Sequence, residues 1–366
     1  MSNSSINSFN QGTENLHSLI KKVQTSYPDL RATLMEVCGT HTNAIRRAGI
    51  HRMLPSGVRL LSGPGCPVCV TGSGFIEQAI RLSHRPRTIV ASFGDLLKVP
   101  GNSGTLSEAR AAGGAIRIVY SPLDAVNMAR ENPDREVVFL GVGFETTAPT
   151  VALAIREAME RKLANFSVLT AFKILDPALR CLLKDQELQI NGLIAPGHLA
   201  VILGANAFTF LPAEFRLPTV VTGFQPVEIW RGIGALLNQI AHGEARLENA
   251  YAPLVSPEGN IAAQRLLADL FTPEPAEWRG LGAIDGSGLG LRDEYRKYDA
   301  ASRFGLMPIV SQEPPGCQCG RILLGKAEPE DCVHFGRSCT PEKAIGPCMV
   351  SAEGTCAAHF SYRGFE

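Results

Sequence analysis

Residues 58–69 read VRLLSGPGCPVC, a short apolar run that ends in a glycine-rich turn holding two cysteines. The length of the run and its flanking turn are typical of a buried strand, and an amphipathic helical pattern follows at 73–83. Similar runs occur at 33–37, 58–62, 88–93, 115–120, 136–142, 167–172, 190–195 and 218–222. Amphipathic stretches lie between them at 73–83, 104–113, 148–162, 175–185 and 226–241. This alternation predicts an α/β fold with mostly parallel strands.

Eight strands could form one barrel or two small sheets, and we expect two small parallel-sheet α/β lobes that separate at about residue 120. The Ser121–Pro122 step and the return of the strand–loop–helix rhythm favour that boundary. After about residue 243 proline and glycine become frequent and strand signals fade. The predicted domains are an α/β lobe over 12–120, a second over 121–242 and a cysteine-rich C-terminal lobe over 243–366.

The composition excludes several classes of partner. Lys+Arg and Asp+Glu both total 35, so the formal net charge is zero, and no basic excess points to nucleic acid or anionic lipid. The N-terminal segment MSNSSINSFNQGTENLH is polar and lacks the pattern of a signal peptide. No apolar stretch approaches the roughly 20 residues that a membrane-spanning helix needs. We therefore expect a soluble protein of the cytoplasm, bound to neither nucleic acid nor membrane.

Ten cysteines are many for a chain of 366 residues in the reducing cytoplasm. Thiols there stay reduced, so such a number indicates metal binding or redox chemistry rather than structural disulfides. Cys181 lies alone in a helical pattern and is expected to be a core residue. The others are grouped early, as Cys38, Cys66 and Cys69, and late, within the cysteine-rich tail (residues 317–356).

The unusual residues follow the ends of candidate strands, where open α/β sheets bind their ligands. The segments concerned are CGTHT (38–42), GPGCPVC (63–69), GFETT (143–147), PGH (196–198) and GFQP (223–226). Two of them carry all three early cysteines. If the first two strands are neighbours, Cys38 faces the pair Cys66 and Cys69 across one crevice.

Cys38 precedes a predicted helix over 42–48. Backbone N–H groups at a helix start lower the pKa of a thiol, and the resulting thiolate is the form that binds iron. His41 and Thr42 are close enough in sequence to donate hydrogen bonds to a bound ligand. The alternative is a buried apolar cysteine beside a threonine cap. The second thiol loop favours the functional interpretation.

Cys66 and Cys69 form a C-x-x-C turn, whose spacing allows either a disulfide or joint binding of one metal. The alternative is half of a structural zinc site. Structural zinc usually takes four ligands from two such motifs, and the sequence has no second C-x-x-C. Redox chemistry or transient metal binding is therefore favoured.

Glu145 lies in a glycine-rich loop at a strand end, where it could carry a proton, orient a ligand or place charge at a helix start. The alternative is capping of the predicted helix over 148–162. His198 has the same ambiguity between a role in the site and one in capping or packing. Both alternatives stay open.

The tail carries the strongest pattern, with cysteines at Cys317, Cys319, Cys332, Cys339, Cys348 and Cys356. Iron–sulfur clusters need four thiolates that converge from irregular loops, and six candidates leave two spare. The last four spacers hold 12, 6, 8 and 7 residues, which do not make the paired knuckles of a zinc site. We therefore expect an iron–sulfur lobe with a [4Fe–4S] cluster. Because so many turns leave little apolar core, the lobe should need that metal for stability.

These motifs together resemble one family. MEVCGTHT (35–42), GPGCPVCVT (63–71), GFETTAPT (143–150), APGHL (195–199) and the tail pattern CQC…DCVHFGRSCTPEKAIGPCMVSAEGTCAAH are similar to those of the HypD family of hydrogenase maturation proteins. The resemblance extends from about residue 14 to 363.

The resemblance implies a scaffold for assembly of the Fe(CN)2CO unit of [NiFe]-hydrogenases rather than a metabolic enzyme. Such proteins work with a small partner, HypC, and receive cyanide through HypE, which HypF charges. By this analogy Cys38 would ligate the iron jointly with a cysteine of the partner. The pair Cys66 and Cys69 would be redox-active, and the tail cluster would pass electrons to it, as in ferredoxin:thioredoxin reductase.

The same analogy implies cluster ligation by Cys317, Cys332, Cys339 and Cys348. Cys319 is a close alternative to Cys317, and Cys356 is the remaining residue. Two other functions stay open at this point. One is a disulfide reductase similar to ferredoxin:thioredoxin reductase that acts on a protein substrate, and the other is a zinc-stabilised α/β binding protein.

Overall fold

The computed structural model describes residues 15–363, so most of the polar N-terminal segment discussed above lies outside the described residues. The strands are β1 (Ala32–Glu36), β2 (Val58–Ser62), β3 (Thr88–Ser92), β4 (Ile116–Ile118), β5 (Glu136–Gly143), β6 (Phe166–Lys173), β7 (Gly192–Pro196), β8 (Thr219–Thr222), β9 (Leu247–Asn249), β10 (Phe271–Trp278) and β11 (Gly282–Leu291). The helices are α1 (Leu16–Ser26), α2 (Gly39–Arg47), α3 (Pro67–Val70), α4 (Ser73–Ser83), α5 (Leu106–Ala111), α6 (Pro122–Glu131), α7 (Ala148–Glu160), α8 (Leu175–Leu183), α9 (Gly197–Leu203), α10 (Phe210–Phe215), α11 (Pro226–Ala241), α12 (Ile261–Leu270), α13 (Ala300–Phe304), α14 (Cys319–Leu323) and α15 (Thr355–Tyr362). Short 3₁₀ turns occur at Ile50–Arg52, Gly94–Lys98, Ala205–Phe208, Asp293–Tyr298, Pro329–Asp331 and Pro347–Met349.

Two mostly parallel sheets confirm the expected α/β class. The first has the order β2-β1-β7-β8-β9 and is parallel throughout. The second has the order β10-β11-β6-β5-β3-β4, in which only the pairings made by β11 are antiparallel. All eight candidate strands are present, with ends shifted by at most two residues from those expected. A cysteine-rich region closes the chain, also as expected.

The expected division of the sheets at about residue 120 is wrong. β1 pairs with β7, with Leu34 opposite Gly192, while β3 pairs with β5, with Val90 opposite Val138. The chain therefore leaves the first sheet after β2, builds the second and returns at β7. The alternation of strands and helices along the sequence predicts the order of the elements. It does not predict which distant strand pairs with the second edge of a central strand such as β1. The predicted domain ranges consequently do not coincide with the sheets.

Regular strands also continue beyond residue 243, where the sequence had indicated few. β10 and β11 form an antiparallel hairpin that joins the second sheet through β6. β10 reads FTPEPAEW, and its prolines are tolerated because it is the edge strand. The hairpin was missed because proline, glutamate and glycine suppress the usual strand signal.

The cysteine-rich tail packs into the main core. Cys319, Cys348 and Met349 are buried in the same apolar cluster as Trp278 at the end of β10 and Cys69 of the early thiol loop. Among the described residues, the tail therefore buries its apolar side chains against the α/β part of the protein, in addition to burying them against one another.

No individual helix within residues 15–363 combines the length and apolar character needed to cross a bilayer. The adjacent segments Gly197–Leu203 and Ala205–Phe215 meet that criterion only when taken together, and they are bent by 113°. Leu199 and Leu211 of this pair are buried in the protein core.

Candidate metal and thiol site

The carboxyl ends of strands from both sheets meet at one cleft, here called the Cys38 cleft. It has a volume of about 180 Å³. Its lining residues are Val37, Cys38, Thr40, Gly65, Pro67, Phe144, Thr146, Thr147, Leu175, Pro196, His198, Leu199 and Glu353. The first sheet contributes the loops after β1, β2 and β7, and the second contributes those after β5 and β6. This position matches the expectation that the unusual loops converge.

Cys38 lies between the end of β1 and the start of α2, where it occupies the N-cap position. The loop after β2 presses directly on it, because a Cβ atom at Gly65 would lie 2.2 Å from the backbone nitrogen of Cys38. The amide of Gly39 also donates to the Gly65 carbonyl at 3.1 Å. The two early thiol loops are therefore packed neighbours, as the pairing of β1 with β2 requires.

The residue Cys38 is only 8% exposed, and burial raises the pKa of its thiol to about 12. Hydrogen bonds from the backbone of His41 and Thr40 act in the opposite direction, while the nearby carboxylates of Glu36 and Glu353 add to the rise. The expected thiolate at the helix start is therefore wrong for the protein without iron, because desolvation outweighs the helix-start amides. A bound cation would supply the missing positive charge and displace the proton.

Glu36, the last residue of β1, is buried and orients the start of α2. Its carboxylate accepts from the Cys38 amide at 2.9 Å and from the Thr42 hydroxyl. Burial raises the pKa of Glu36 to about 7. Thr42 is thus committed to Glu36 and does not line the cleft, contrary to the expectation that it could donate to a ligand. Glu36 was missed by sequence reasoning, although an acidic residue within a buried strand is itself a signal.

His41 is fully buried beside the cleft and does not line it. Its Nε2 donates to the Gly223 carbonyl at 2.9 Å, and its Nδ1 has no hydrogen-bond partner. Burial lowers the pKa of His41 to about 4, so the ring is neutral near pH 7. Its ring centroid lies 4.6 Å from that of Phe224, which also contacts His198 at 3.9 Å. His198 is the imidazole that reaches the cleft.

Glu145 is buried below the cleft lining and contributes no lining atom. Its Oε1 accepts from the Leu175 amide at 3.1 Å, at the first residue of α8, while Oε2 has no partner. Burial raises the pKa of Glu145 to about 7. A capping contact therefore exists, but to α8 rather than to the following helix α7, which the sequence had suggested.

Glu353 enters the Cys38 cleft from the tail and was not foreseen. Its carboxylate accepts from the Thr40 hydroxyl at 2.7 Å. A Cβ atom at Gly39 would lie 2.4 Å from the Glu353 Cβ, so the tail loop rests on the start of α2. A residue more than 300 positions away from Cys38 in sequence offers no local signal for this contact.

Cys66 and Cys69 form a disulfide, with their Cα atoms 5.2 Å apart. Cys66 caps α3, and its sulfur accepts from the Cys69 amide at 3.2 Å. Both cysteines are buried, and the adjacent Gly65 and Pro67 rather than the sulfurs line the cleft. The CPVC turn (residues 66–69) thus lies against the cleft wall, while α3 also contacts α14 and the turn Pro347–Met349 of the tail.

All six tail cysteines line one small cavity, here called the six-thiol cavity. They are Cys317, Cys319, Cys332, Cys339, Cys348 and Cys356, and none of them forms a disulfide. Ile322, Phe335 and Met349 complete an apolar wall. The Ile345 amide donates to the Cys339 sulfur at 3.3 Å. Converging thiols, an apolar wall and a backbone amide that donates to one sulfur fit the ligand chemistry of an iron–sulfur cluster.

A second group of side chains of the kinds that bind metals lies in the tail, outside the six-thiol cavity. Glu328, Glu330 and His359 bring one ligand atom each within 4.8 Å of one another. His359 Nδ1 is already 3.1 Å from a Glu330 oxygen, and the Arg46 guanidinium lies within electrostatic range of both carboxylates. The side chains of this group are therefore already in contact with one another, and a guanidinium lies near their carboxylates.

Comparison with known proteins shows the family to which the chain belongs. The profile of the HypD family, described as "Hydrogenase formation hypA family", matches residues 13–363. The chain is 43% identical over 336 residues to the hydrogenase maturation factor HypD of Rhodobacter capsulatus, covering 90% of this chain and 89% of that one. It is 42% identical over 331 residues to the HypD of Escherichia coli (strain K12), again over 90% and 89% of the two chains. It is 44% identical over 339 residues to HypD2 of Bradyrhizobium diazoefficiens, with the same two shares. The chain therefore belongs to the HypD family of hydrogenase maturation factors.

Proposed function

We propose that the protein is a cytoplasmic scaffold on which the Fe(CN)2CO unit of a [NiFe]-hydrogenase is assembled, together with a small HypC-like partner. The observation that carries the proposal is the placement of Cys38 in a cleft between two sheets, with the CPVC turn against its wall. Iron is the cargo of this cleft and is passed on with its ligands. Cyanide arrives through proteins of the HypE and HypF type, as the family resemblance implies.

The residues of the Cys38 cleft fit the handling of such a cargo. The thiol of Cys38 offers a soft ligand that becomes anionic when iron displaces its proton. A neutral His198 and the hydroxyls of Thr40, Thr146 and Thr147 provide polar contacts without adding net charge. Glu353 places one carboxylate beside Thr40 at the lining of the cleft. The remaining lining is apolar and limits the access of water.

The tail supplies the redox part of the proposal. The six-thiol cavity would hold a [4Fe–4S] cluster, with Cys317, Cys332, Cys339 and Cys348 as the ligands that the resemblance implies. When bound, such a cluster supplies one-electron redox chemistry. Reduction of the Cys66–Cys69 disulfide to two thiols takes two protons and two electrons, which a cluster would pass one at a time while an external electron-donor protein reduces it again after each step. Those thiols would then be available to assist at the cleft, as iron ligands or as reductants.

A second candidate is a disulfide reductase that acts on a protein substrate. The contact of α3 with α14 and the turn at 347–349 favours it, because this contact brings a disulfide close to the six-thiol cavity. Such a reductase needs the disulfide and the tail but has no use for Cys38. The two candidate functions therefore differ in whether they require Cys38: the scaffold does, and the reductase does not.

A bacterial strain that lacks its own HypD-family gene and makes a [NiFe]-hydrogenase provides the test. Expression of this chain should restore hydrogenase activity, and expression of Cys38→Ser should not. Cys181→Ser is the matched control, because Cys181 is a half-buried cysteine outside the cleft and the cavity. Full restoration by Cys38→Ser would reject the scaffold and favour the reductase.

A further inference from the structure

Arg279 follows the edge strand β10, and its side chain is fully buried. Placing a guanidinium in the interior is costly unless hydrogen bonds and a counter-charge compensate. The surroundings of Arg279 supply both. Neither the Cys38 cleft nor the six-thiol cavity includes this residue among its lining groups.

On one side Arg279 binds the CPVC turn and the residues that follow it. Its Nε donates to the Cys69 carbonyl and its Nη2 to the Thr71 carbonyl, each at 3.1 Å. Its backbone amide donates to the Val70 carbonyl at 2.9 Å. One residue therefore fixes three consecutive carbonyls next to the disulfide. The guanidinium holds two of them, the carbonyls of Cys69 and Thr71, in a fork that the single ammonium of lysine cannot reproduce.

On the other side Arg279 faces the tail. Its Nη1 donates to the carboxylate of Glu313, which is half exposed. Cys319 and Cys348 of the six-thiol cavity lie within electrostatic range of the guanidinium. The backbones also touch, since a Cβ atom at Gly280 would lie 2.7 Å from the Gly320 carbonyl oxygen. The fixed positive charge thus lies between the disulfide and the tail thiols.

We propose that Arg279 is a positioning residue that holds the CPVC turn against the six-thiol cavity and, through its charge, makes the Cys66–Cys69 disulfide easier to reduce. This inference rests on the proposed redox role of the pair. Reduction adds two electrons to the sulfurs of the pair, and the guanidinium held at the Cys69 carbonyl stabilises negative charge that develops on them. Glu313 offsets part of the effect because its carboxylate neutralises the guanidinium from the solvent side.

The test is a redox titration of the full-length, anaerobically purified protein with dithiothreitol. In this exchange the reagent dithiol becomes its cyclic disulfide as the protein disulfide becomes a dithiol, so electrons and protons balance. Alkylation and mass spectrometry of the peptide containing residues 66–69 report the reduced fraction. The equilibrium is measured independently of hydrogenase maturation.

For Arg279→Gln we expect the equilibrium to shift about tenfold toward the disulfide, which is about 30 mV for a two-electron couple. Arg279→Lys should keep most of the potential, because it keeps the charge. It should nevertheless speed hydrogen exchange of the amides at 69–72, because it loses the fork of hydrogen bonds. Glu313→Gln should shift the equilibrium the other way, toward the dithiol, because it removes the carboxylate that partly neutralises Arg279. This variant tests the effect of the Arg279 charge even if Arg279→Gln fails to fold.

Arg303→Gln is the matched control, because Arg303 pairs with Glu136, outside both sites. It should leave the equilibrium unchanged. Wild-type equilibria in both folded Arg279→Gln and Glu313→Gln would overturn the inference. That outcome differs from failure of the proposed function, in which variants without the pair would still mature hydrogenase whatever the titration shows.

Discussion

Burial governs the protonation of single residues around the Cys38 cleft. The pKa of the Cys38 thiol rises to about 12, and those of the Glu36 and Glu145 carboxyls rise to about 7. The pKa of the His41 imidazole falls to about 4 by the same desolvation. Each change favours the neutral form of the side chain. The buried groups behind the cleft lining therefore carry little charge between about pH 4 and about pH 7, while the Glu353 side chain lies at the lining itself.

Replacement of Glu145 by glutamine should change how stability depends on pH. The pKa of this carboxyl is raised from its ordinary 4.5 to about 7 in the folded chain. Its contribution to stability is therefore fully present below pH 4.5 and is lost as the pH rises through about 7. Between pH 5 and pH 8 the parent protein should lose up to about 3 kcal/mol from this group, and Glu145→Gln should not. Urea unfolding at both pH values measures the difference.

The Leu175 amide keeps its acceptor in this variant, because glutamine retains a side-chain oxygen. An equal fall in the free energy of unfolding from pH 5 to pH 8 in the parent protein and in Glu145→Gln would contradict the conclusion that burial raises the pKa of Glu145. Glu36 titrates in the same range in both proteins and cancels in the comparison.

The sequence indicated site residues by two local signals, which are a reactive or polar side chain and a position directly after a predicted strand. Cys38 and the CPVC turn each follow a strand end, and the structure brings both to the Cys38 cleft or its wall. His198, which the sequence left open between a site role and capping or packing, also lines the cleft. His41 and Glu145 also follow strand ends, yet both point into buried hydrogen-bond networks. Strand position alone cannot distinguish these cases, because the direction of a side chain depends on packing partners that are distant in sequence.

At the scale of elements, the CPVC turn lies between the Cys38 cleft and the part of the tail that forms the six-thiol cavity. Its first cysteine caps α3, and α3 contacts both α14 and the turn at 347–349. The adjacent residues Gly65 and Pro67 line the Cys38 cleft. A change of the disulfide to a dithiol would therefore occur between the cleft and the six-thiol cavity.

Replacement of both cysteines of this turn by serine should abolish hydrogenase maturation and leave the iron content of the tail unchanged. Serine hydroxyls form no disulfide and bind iron poorly, whereas the cavity's own six cysteines remain. Hydrogenase activity in the complemented strain and iron analysis of the purified protein give the two readouts, with Cys181→Ser as control. Normal maturation by the Cys66→Ser, Cys69→Ser double variant would remove the redox role.

The elements themselves were largely predictable because their patterns are strong. The segments 73–83 and 226–241 are helical over the same bounds that amphipathic periodicity gives. β10 and β11 were not predictable, since an edge strand with two prolines lacks the usual composition. The return of the chain to the first sheet at β7 was also missed, because pairing between distant strands has no local signature.

At the scale of the whole molecule, residues of both sheets and of the tail share one apolar cluster, which includes Met35, Trp278 and Cys348. The tail brings Glu353 to the Cys38 cleft and six thiols to a cavity beside the CPVC turn. The sequence indicated both the cleft and the cluster of cysteines. It did not indicate that the tail would close the cleft, because no periodic pattern connects residue 353 with residue 40.

The six-thiol cavity should hold one [4Fe–4S] cluster in protein purified without oxygen. Metal analysis and Mössbauer spectra of protein enriched in ⁵⁷Fe should show about four irons with the signature of a cubane cluster. Cys348→Ser should lose this signal because Cys348 is one of the four ligands that the family resemblance implies, while Cys181→Ser should keep it because Cys181 lies outside the cavity. Stoichiometric zinc without iron would show that the cavity is a structural metal site.

Infrared spectroscopy of the Cys38→Ser variant, purified without oxygen together with its HypC-like partner, tests the central claim most directly. Bands from iron-bound cyanide and carbon monoxide report the cargo itself, and serine at this position removes the anionic sulfur ligand. We predict that the parent complex and Cys181→Ser show these bands. Cys38→Ser should lack them although it folds, keeps its tail iron and still binds the partner. Normal cyanide and carbon monoxide bands in Cys38→Ser would contradict the account and leave Cys66 and Cys69 as the remaining thiols near the cleft.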